Sequence, residues 1–263
     1  MSLAAVPGDG EVYIAGFGMW CPGRQLRGAS GTPVVWVSDR AIGGGLVWGD
    51  LAEESARSGL QPFLLSGMDG GTARPWDTGE QVSGPEDTGV IDTMDAAQVL
   101  DGHWWGPSEE ELAEDEELRG MFAPFGERFP GLAPAVEEEL DPELMRRAVV
   151  QYTRRARVGL VPAARPADIL PRMGWAGASN NRTASELAVV LRSWEDRFGA
   201  RLLEVGFDDI RLLVSRPPQT LDAAQPIAAE HFAFSDEAHK GPHHIGQIAR
   251  ALVNNPFWDF WWD

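Results

Sequence analysis

The chain has 263 residues, of which 43% are hydrophobic and 24% are charged. Its 30 glycines and 19 prolines stay below the share typical of low-complexity chains, so the composition excludes collagen, coiled coil and simple disorder. A chain of this length can bury one large core or two modest ones, and we expect two lobes.

Charge is unevenly divided along the chain. Residues 1–145 hold 27 Asp and Glu against 7 Arg, a net charge of −20, whereas residues 146–263 hold 13 against 15 Lys and Arg, a net charge of +2. An acidic surface repels phosphate backbones, whose binding depends on Lys and Arg. We therefore expect no nucleic-acid partner, and a basic protein partner fits the charge. The alternative is that the acidic residues only keep the chain in solution.

Several compositional features bear on the compartment. Cys21 is the only cysteine, so an internal disulfide is impossible, as is usual in a reducing compartment. The first 23 residues contain neither Lys nor Arg, and no apolar run approaches the roughly 18 residues needed to span a bilayer. Lys240 is the only lysine among 22 basic residues, which is typical of a GC-rich bacterial genome. We expect a cytoplasmic protein that does not associate with membranes.

The first hundred residues predict an α/β lobe. Residues 11–16 and 33–38 are rich in β-branched and aromatic side chains and predict two strands joined by a Gly-rich connection. A helix over 46–58 should end at Gly59, because glycine readily adopts the left-handed conformation that follows a helix. Residues 62–66 predict a further buried strand. A strand, a helix and a strand in this order indicate a parallel crossover.

An acidic helical region, residues 101–157, follows this lobe. It comes after a long surface excursion over residues 67–89, which is rich in Gly, Asp, Thr and Pro. Ser108 and Glu111 have the spacing of a capping box, which predicts an exposed helix through Glu117.

A second helix is predicted to begin after Asp141, whose carboxylate can cap a helix with Pro142 at its first position. The helix should extend to about Arg157. It would then carry five arginines, Arg146, Arg147, Arg154, Arg155 and Arg157.

Residues 158–263 predict an α+β domain. The expected strands are 159–164, 201–205, 210–215 and 257–262, and the expected helices are 168–173, 183–198, 220–234 and 243–254. Thr183 and Glu186 form a second capping box, and the short turn between the second and third strands indicates an antiparallel hairpin. Pro226 should weaken its helix. The whole pattern predicts an α/β to α+β fold, with mixed β-sheets flanked by helices in two lobes.

The carboxy-terminal residues resemble a known family. The strings RPADILPRMGWAGASNN (165–181), SWEDRFGARL (193–202) and AEHFAF (229–234), together with the terminal FWDFWWD, are similar to the bacterial family of domain of unknown function 4253 over about residues 158–263. The resemblance implies a cytoplasmic bacterial protein of mixed α and β structure and implies no activity. The residues that match the family pattern are Trp175, Gly177, Asn180, Trp194, Glu195, Phe198, Phe207, Glu230, His231, Phe232, Trp258, Trp261 and Trp262.

The histidines have a composition typical of a metal site, since four of the five lie between residues 231 and 244. His239 and His243 have the spacing that places two imidazoles on one helical face. Gly241 and Pro242 stand between them and should break such a helix, so we expect no metal. We also expect no cofactor, because neither a complete dinucleotide nor a phosphate-binding glycine motif is present.

No nucleophile motif stands out. The chain lacks the GxSxG elbow, and no histidine neighbours Cys21 in sequence. Glu195 and Asp196 are adjacent on a helix, so their side chains diverge and are poorly placed for joint acid and base work.

Seven residues are candidates for binding. A loop carries three of them, and such a loop either satisfies its own backbone or contacts a ligand. Tryptophan serves in a core or at the wall of a binding cleft; alternation along the terminal strand should bury Trp258, Phe260 and Trp262 and leave Trp261 partly exposed. The candidates are Trp175, Asn180, Asn181, Trp194, Glu195, His231 and Trp261.

The leading hypothesis is a non-enzymatic cytoplasmic interaction protein that binds a protein partner, with an immunity role against a toxin as one concrete form by analogy. The alternative is an enzyme or small-molecule-binding protein that uses an aromatic-lined cleft between the lobes, with Trp175, Asn180, Trp194, Glu195 and His231 as its lining.

Overall fold

One mixed sheet organises the part of the chain that the computed structural model describes, namely residues 4–42, 44–68, 71, 73–152, 156–235 and 244–262. Its eight strands are β1 Gly10–Ile14, β2 Met19–Arg27, β3 Pro33–Ser38, β4 Leu60–Leu65, β5 Arg157–Pro162, β6 Ala200–Val205, β7 Asp209–Val214 and β8 Phe257–Trp261. Their order across the sheet is β1-β2-β3-β5-β4-β6-β7-β8. The predicted α/β to α+β class with a mixed sheet is confirmed.

Strand β5 lies at the centre of this order. It pairs antiparallel with β3 on one side and with β4 on the other, so β3 and β4 run in the same direction without being neighbours. Among the described strands, β4 and β6 form the only parallel neighbouring pair. The expected direction of the crossover is therefore right, and strands from both of the expected lobes share this one sheet. Strand β5, which begins at Arg157, completes the sheet that the strands of the first hundred residues begin.

The helices of the described residues cover both faces of the sheet. They are α1 Gly44–Ser58, α2 Ala96–Gly102, α3 Glu109–Glu114, α4 Glu116–Phe122, α5 Pro142–Tyr152, α6 Ile169–Met173, α7 Ala184–Phe198, α8 Leu221–Phe234 and α9 Ile245–Leu252. Successive strand residues alternate between two buried clusters: Val35 and Val37 pack in the first, and Trp36 packs in the second. Helices α7, α8 and α9 pack in the first cluster, whereas α1 and α5 pack in the second.

Local start and stop signals agree with the structure. Gly59 follows α1 with a φ of 70°, and Gly199 follows α7 with a φ of 61°. Both capping boxes form, at Ser108 before α3 and at Thr183 before α7. The hairpin of β6 and β7 is antiparallel as expected. These features depend on neighbouring residues alone, which is why the sequence predicts them.

The Gly-rich connection after β1 contains a strand that the sequence did not indicate. Strand β2 pairs with β1 and with β3 although it includes Pro22 and Gly23, two residue types that are depleted in strands. Gly23 lies under the ring of Trp36, and a Cβ at this position would clash with that ring. Tertiary packing therefore explains both the glycine and the missed strand.

Two predicted helices differ from the structure. The acidic run forms two short helices, because Asp115 ends α3 and its side chain caps α4 by accepting a hydrogen bond from the Leu118 amide. Helix α5 ends at Tyr152, and Arg157 lies in β5, where it is 4% exposed. Arg154 and Arg155 lie outside the described residues.

A buried carboxylate ties the region before β5 to the carboxy-terminal helices. Glu230 of α8 is fully buried and accepts hydrogen bonds from the Ala133 amide at 2.6 Å and from Trp194 Nε1 at 2.7 Å. Arg197 donates to both of its oxygens, at 2.8 and 2.6 Å. This carboxylate is paired and hydrogen-bonded, which is the condition under which a charge can be buried.

We expect Glu230→Gln to lower the free energy of unfolding by about 3 kcal/mol, because it leaves the Arg197 guanidinium without its counter-charge in the interior. Urea denaturation measures the change. The exposed Glu114→Gln is the control and should change stability by less than about 0.5 kcal/mol. Equal stability of the two variants would contradict this assignment.

The terminal strand β8 completes the core at the edge of the sheet. Trp258, Phe260 and Trp262 are 1%, 3% and 0% exposed, while Asp259 is exposed and Trp261 is half-buried on the opposite face. The predicted alternation is confirmed.

We expect deletion of residues 257–263 to leave the carboxy-terminal half unfolded or aggregating, because each large buried aromatic contributes roughly 3 to 5 kcal/mol and a domain is stable by only about 5 to 15 kcal/mol. Trp258→Ala should be far more destabilising than Trp261→Ala in the same thermal and urea unfolding experiments. A soluble truncation with an unchanged melting temperature would show that the strand is dispensable.

Candidate functional site

Two of the predicted binding residues lie in the aromatic core. Trp194 is fully buried and stacks on Phe260 with ring centroids 5.2 Å apart. His231 is 7% exposed, and its ring lies 5.0 Å from that of Trp194 and 4.5 Å from that of Trp258. The structure therefore brings Trp194 and His231 together, but as packing partners.

Trp175 and the two asparagines belong to a loop beside this core. Trp175 is 3% exposed, donates from Nε1 to the Gly206 carbonyl at 3.0 Å, and packs edge-on against Trp262. Asn180 is exposed and Asn181 is half-buried. Of these three candidates, only the asparagines are accessible to a ligand.

Glu195 and Trp261 lie apart from the others. Glu195 accepts hydrogen bonds from Arg165 Nε at 3.4 Å and from the Ala167 amide at 3.3 Å. Burial raises the pKa of Glu195, against the opposing effect of Arg165. Trp261 is on the other face of the sheet from Trp258. The five residues expected to line one cleft do not converge, because packing of the core takes precedence for the large aromatic side chains.

The thiol of Cys21 and the imidazole of His231 are the side chains most typical of catalytic residues, and both are unreactive here. Cys21 is fully buried, and burial raises the pKa of its thiol to about 11. Burial lowers the pKa of His231 to about 3, so its imidazole is neutral at pH 7. Within the described residues, no group of three or more His, Cys, Asp or Glu could hold a metal ion. His239 and His243 lie outside those residues.

Helices α3 and α4 form an acidic ridge, which we define as Glu109, Glu110, Glu114, Glu116 and Glu117. All five side chains are exposed, and none forms an ion pair with another described residue. Unpaired like charges this close repel one another and create a strong local negative potential. The ridge therefore favours contact with cations.

An exposed tryptophan precedes the ridge. Trp105 is 57% exposed and meets Phe122 edge-on, with ring centroids 5.8 Å apart. Its neighbour Trp104 points inward, packs against Phe122 and Phe232, and donates from Nε1 to the Gly126 carbonyl at 3.1 Å. Trp104 thus anchors α4 and the loop at Gly126 on α8. Trp105 is exposed and lies against the ring of Phe122.

Nothing in the sequence distinguishes Trp105 from the adjacent Trp104. In two adjacent tryptophans one side chain can be buried and the other exposed, but only the positions of Phe122 and Phe232 decide which.

Two carboxyl groups with raised pKa values lie beside Ser66 at one end of the sheet. Burial raises the pKa of Glu204 to about 7 and that of Asp209 to about 6. Ser66 Oγ donates to Asp209 Oδ2 at 3.4 Å. A hydrogen bond from Ser66 opposes the rise in pKa at both groups. Arg211 Nη1 lies 3.5 Å from Glu204 Oε2, whereas Asp209 forms no ion pair with another described residue and is the clearer of the two titrating groups.

Comparison with known families identifies part of the chain. Residues 157–263 match the model of the family described as Domain of unknown function (DUF4253). The carboxy-terminal region is similar to this family, and we refer to residues 157–263 as the DUF4253 domain. This confirms the resemblance seen in the sequence, and the domain begins at the first residue of β5.

The DUF4253 domain brings no described activity with it. No curated protein and no solved structure matches the chain. No helix among the described residues is long and apolar enough to cross a membrane.

We expect Asp209→Asn to change how stability depends on pH. Burial raises the pKa of Asp209 above its unfolded value, so the folded state holds the proton more tightly, and this stabilisation is present in acid and lost as the pH rises towards 6. Between about pH 5 and about pH 7 the wild type should lose up to about 1 kcal/mol relative to the variant, since the side chain remains partly solvated. Urea denaturation at both pH values tests this, with the exposed Asp101→Asn as control. Parallel pH profiles for wild type and Asp209→Asn would refute it.

Proposed function

We propose that the protein is a non-catalytic, cytoplasmic interaction protein that binds a basic protein partner through the acidic ridge and Trp105. The observation that carries the proposal is the placement of five unpaired, exposed carboxylates next to a tryptophan that is 57% exposed. Charge and an aromatic anchor are thus available on one surface.

The ridge supplies the electrostatic part of this recognition. A partner that brings Lys or Arg to the ridge relieves the repulsion among its carboxylates. Complementary charge of this kind raises the association rate and fixes orientation more than it raises affinity, and salt weakens it. The net charge of −20 over residues 1–145 extends the attraction beyond the ridge itself.

Trp105 supplies the apolar part. Tryptophan is enriched among the few interface residues that dominate binding energy, because it buries a large area with few rotatable bonds. The contact with Phe122 limits its freedom before a partner arrives.

The enzyme alternative has less support. The buried thiol of Cys21 and the neutral, buried imidazole of His231 are poorly suited to nucleophilic or acid–base work at neutral pH. The small-molecule alternative is supported by a pocket that is lined by residues of α1 and α5.

A photo-cross-linking amino acid at position 105 tests the proposal in the cell that makes the protein. Trp105→p-benzoylphenylalanine should give one discrete adduct with a protein of basic isoelectric point. Trp20 is a matched control position, because it is 59% exposed and lies on β2, away from the ridge. The same replacement at Trp20 should not give this adduct.

Charge removal on the ridge completes the test. Glu110→Gln combined with Glu114→Gln and Glu117→Gln should reduce the adduct at position 105 at least about fivefold. Replacing the exposed Glu137, Glu138 and Glu139 by Gln removes the same charge elsewhere and should change it less. The absence of any adduct would refute the proposed function. So would an adduct whose yield is the same with and without the ridge charges.

A further inference from the structure

A groove lies between α1 and α5 on the face of the sheet opposite to the helices α7 and α8. It encloses about 590 Å³, within the range of roughly 300 to 1,000 Å³ that is usual for small-molecule sites. Its floor is formed by β6 and β7, which belong to the DUF4253 domain, and its walls come from residues before that domain. We call it the α1–α5 groove, and its apolar lining comprises Trp48, Ala52, Leu140, Met145, Val149 and Leu213.

One cation stands in this apolar lining. Arg201 of β6 lines the groove and forms neither a hydrogen bond nor an ion pair with the described residues; its guanidinium lies 5.8 Å from the centre of the Trp48 ring. Burial lowers the pKa of Arg201; the charge of Glu195 opposes this effect, but Glu195 is itself paired with Arg165. A guanidinium nevertheless keeps its proton in proteins.

An unpaired, partly desolvated charge is costly unless a counter-ion offsets it. Another arginine of the same sheet face is compensated in the usual way: Arg211 pairs with Glu204 and Asp259. Arg201 has five donors in a planar fork, a geometry that fits a carboxylate through two parallel hydrogen bonds. Its isolation inside an apolar groove thus points to an anionic group supplied from outside the chain.

The mouth of the groove limits the charge of that ligand. Glu53, Glu139 and Glu143 line it together with Arg146, and Glu143 is already paired with Arg146 at 2.8 Å. The remaining carboxylates, Glu53 and Glu139, are exposed and repel a multiply charged anion such as a phosphate ester. A ligand with one carboxylate and an apolar body can pair with Arg201 at the floor, and the glutamates at the mouth repel it less than they repel a multiply charged anion.

We propose that the α1–α5 groove binds a small monocarboxylate with an apolar body, whose carboxylate pairs with Arg201 and whose hydrocarbon part lies against Trp48, Met145 and Leu213. This site is independent of the acidic ridge, because α1 and α5 pack on one face of the sheet and α4 on the other.

Calorimetric titration of the full chain with three matched probes tests the site. Decanoate, decan-1-ol and decylamine share one hydrocarbon chain and differ in charge. Decanoate should bind with a Kd below about 1 mM and at least about tenfold more tightly than decan-1-ol, as expected for charge-assisted pairing. Decylamine should bind more weakly still.

Arg201→Met keeps an unbranched, flexible side chain, although a shorter one, and removes the charge. It should weaken decanoate binding at least about tenfold and leave decan-1-ol binding within about threefold. Arg201→Lys should keep part of the preference for decanoate, since it restores the charge without the planar fork. Arg250→Met, at an exposed site on α9, is the matched control and should change neither.

The variant is expected to fold, because replacing a half-buried, unpaired charge by an apolar side chain in an apolar lining is neutral or stabilising. The melting temperature of Arg201→Met should therefore equal or exceed that of the wild type. Equal binding of decanoate and decan-1-ol would overturn the proposal, and so would equal binding of decanoate to wild type and Arg201→Met. So would no binding of any probe at 1 mM. None of these outcomes depends on the ridge or on Trp105.

Discussion

Strand β5 is the element on which the rest of the structure depends. All six of its residues are buried, and its backbone groups pair with β3 on one side and β4 on the other. Buried backbone groups must find partners, so neither β3 nor β4 can complete its hydrogen bonds without it. The DUF4253 domain begins at this strand, and taken alone it would leave both edges of β5 unpaired. The residues before position 157 and the family domain therefore form one hydrogen-bonded sheet.

The two faces of that sheet carry different surfaces. On one face, Glu230 and the Trp104–Phe232 contact hold the connecting region against α8, and the acidic ridge projects from there. On the other face, α1 and α5 cover the sheet incompletely and leave a groove over Arg201. The groove combines residues from the family domain with residues that precede it, whereas the ridge and Trp105 precede the domain and are held against its helix α8. The family domain alone would provide neither surface in full.

The residues that match the family pattern have a structural explanation. Trp194 donates to Glu230 at 2.7 Å, and His231 packs between Trp194 and Trp258. These side chains come from α7, α8 and β8 and meet at one point of the core. A pattern of tryptophan, glutamate and histidine resembles an active site in sequence, but burial holds His231 neutral, and Glu230 is occupied by Arg197 and the Ala133 amide.

The sequence by itself determined the local features of this protein. Capping boxes at Ser108 and Thr183, the glycine after α1, the β6–β7 hairpin and the alternation along β8 all follow from interactions between residues a few positions apart. The uneven charge was also readable, because it is a property of composition. Only the tertiary structure decided that β5 separates β3 from β4, that β2 is a strand, and that Arg201 lies unpaired under α1 and α5. These features depend on contacts between distant residues, and a one-dimensional pattern does not specify which distant partner a strand or a charge will meet.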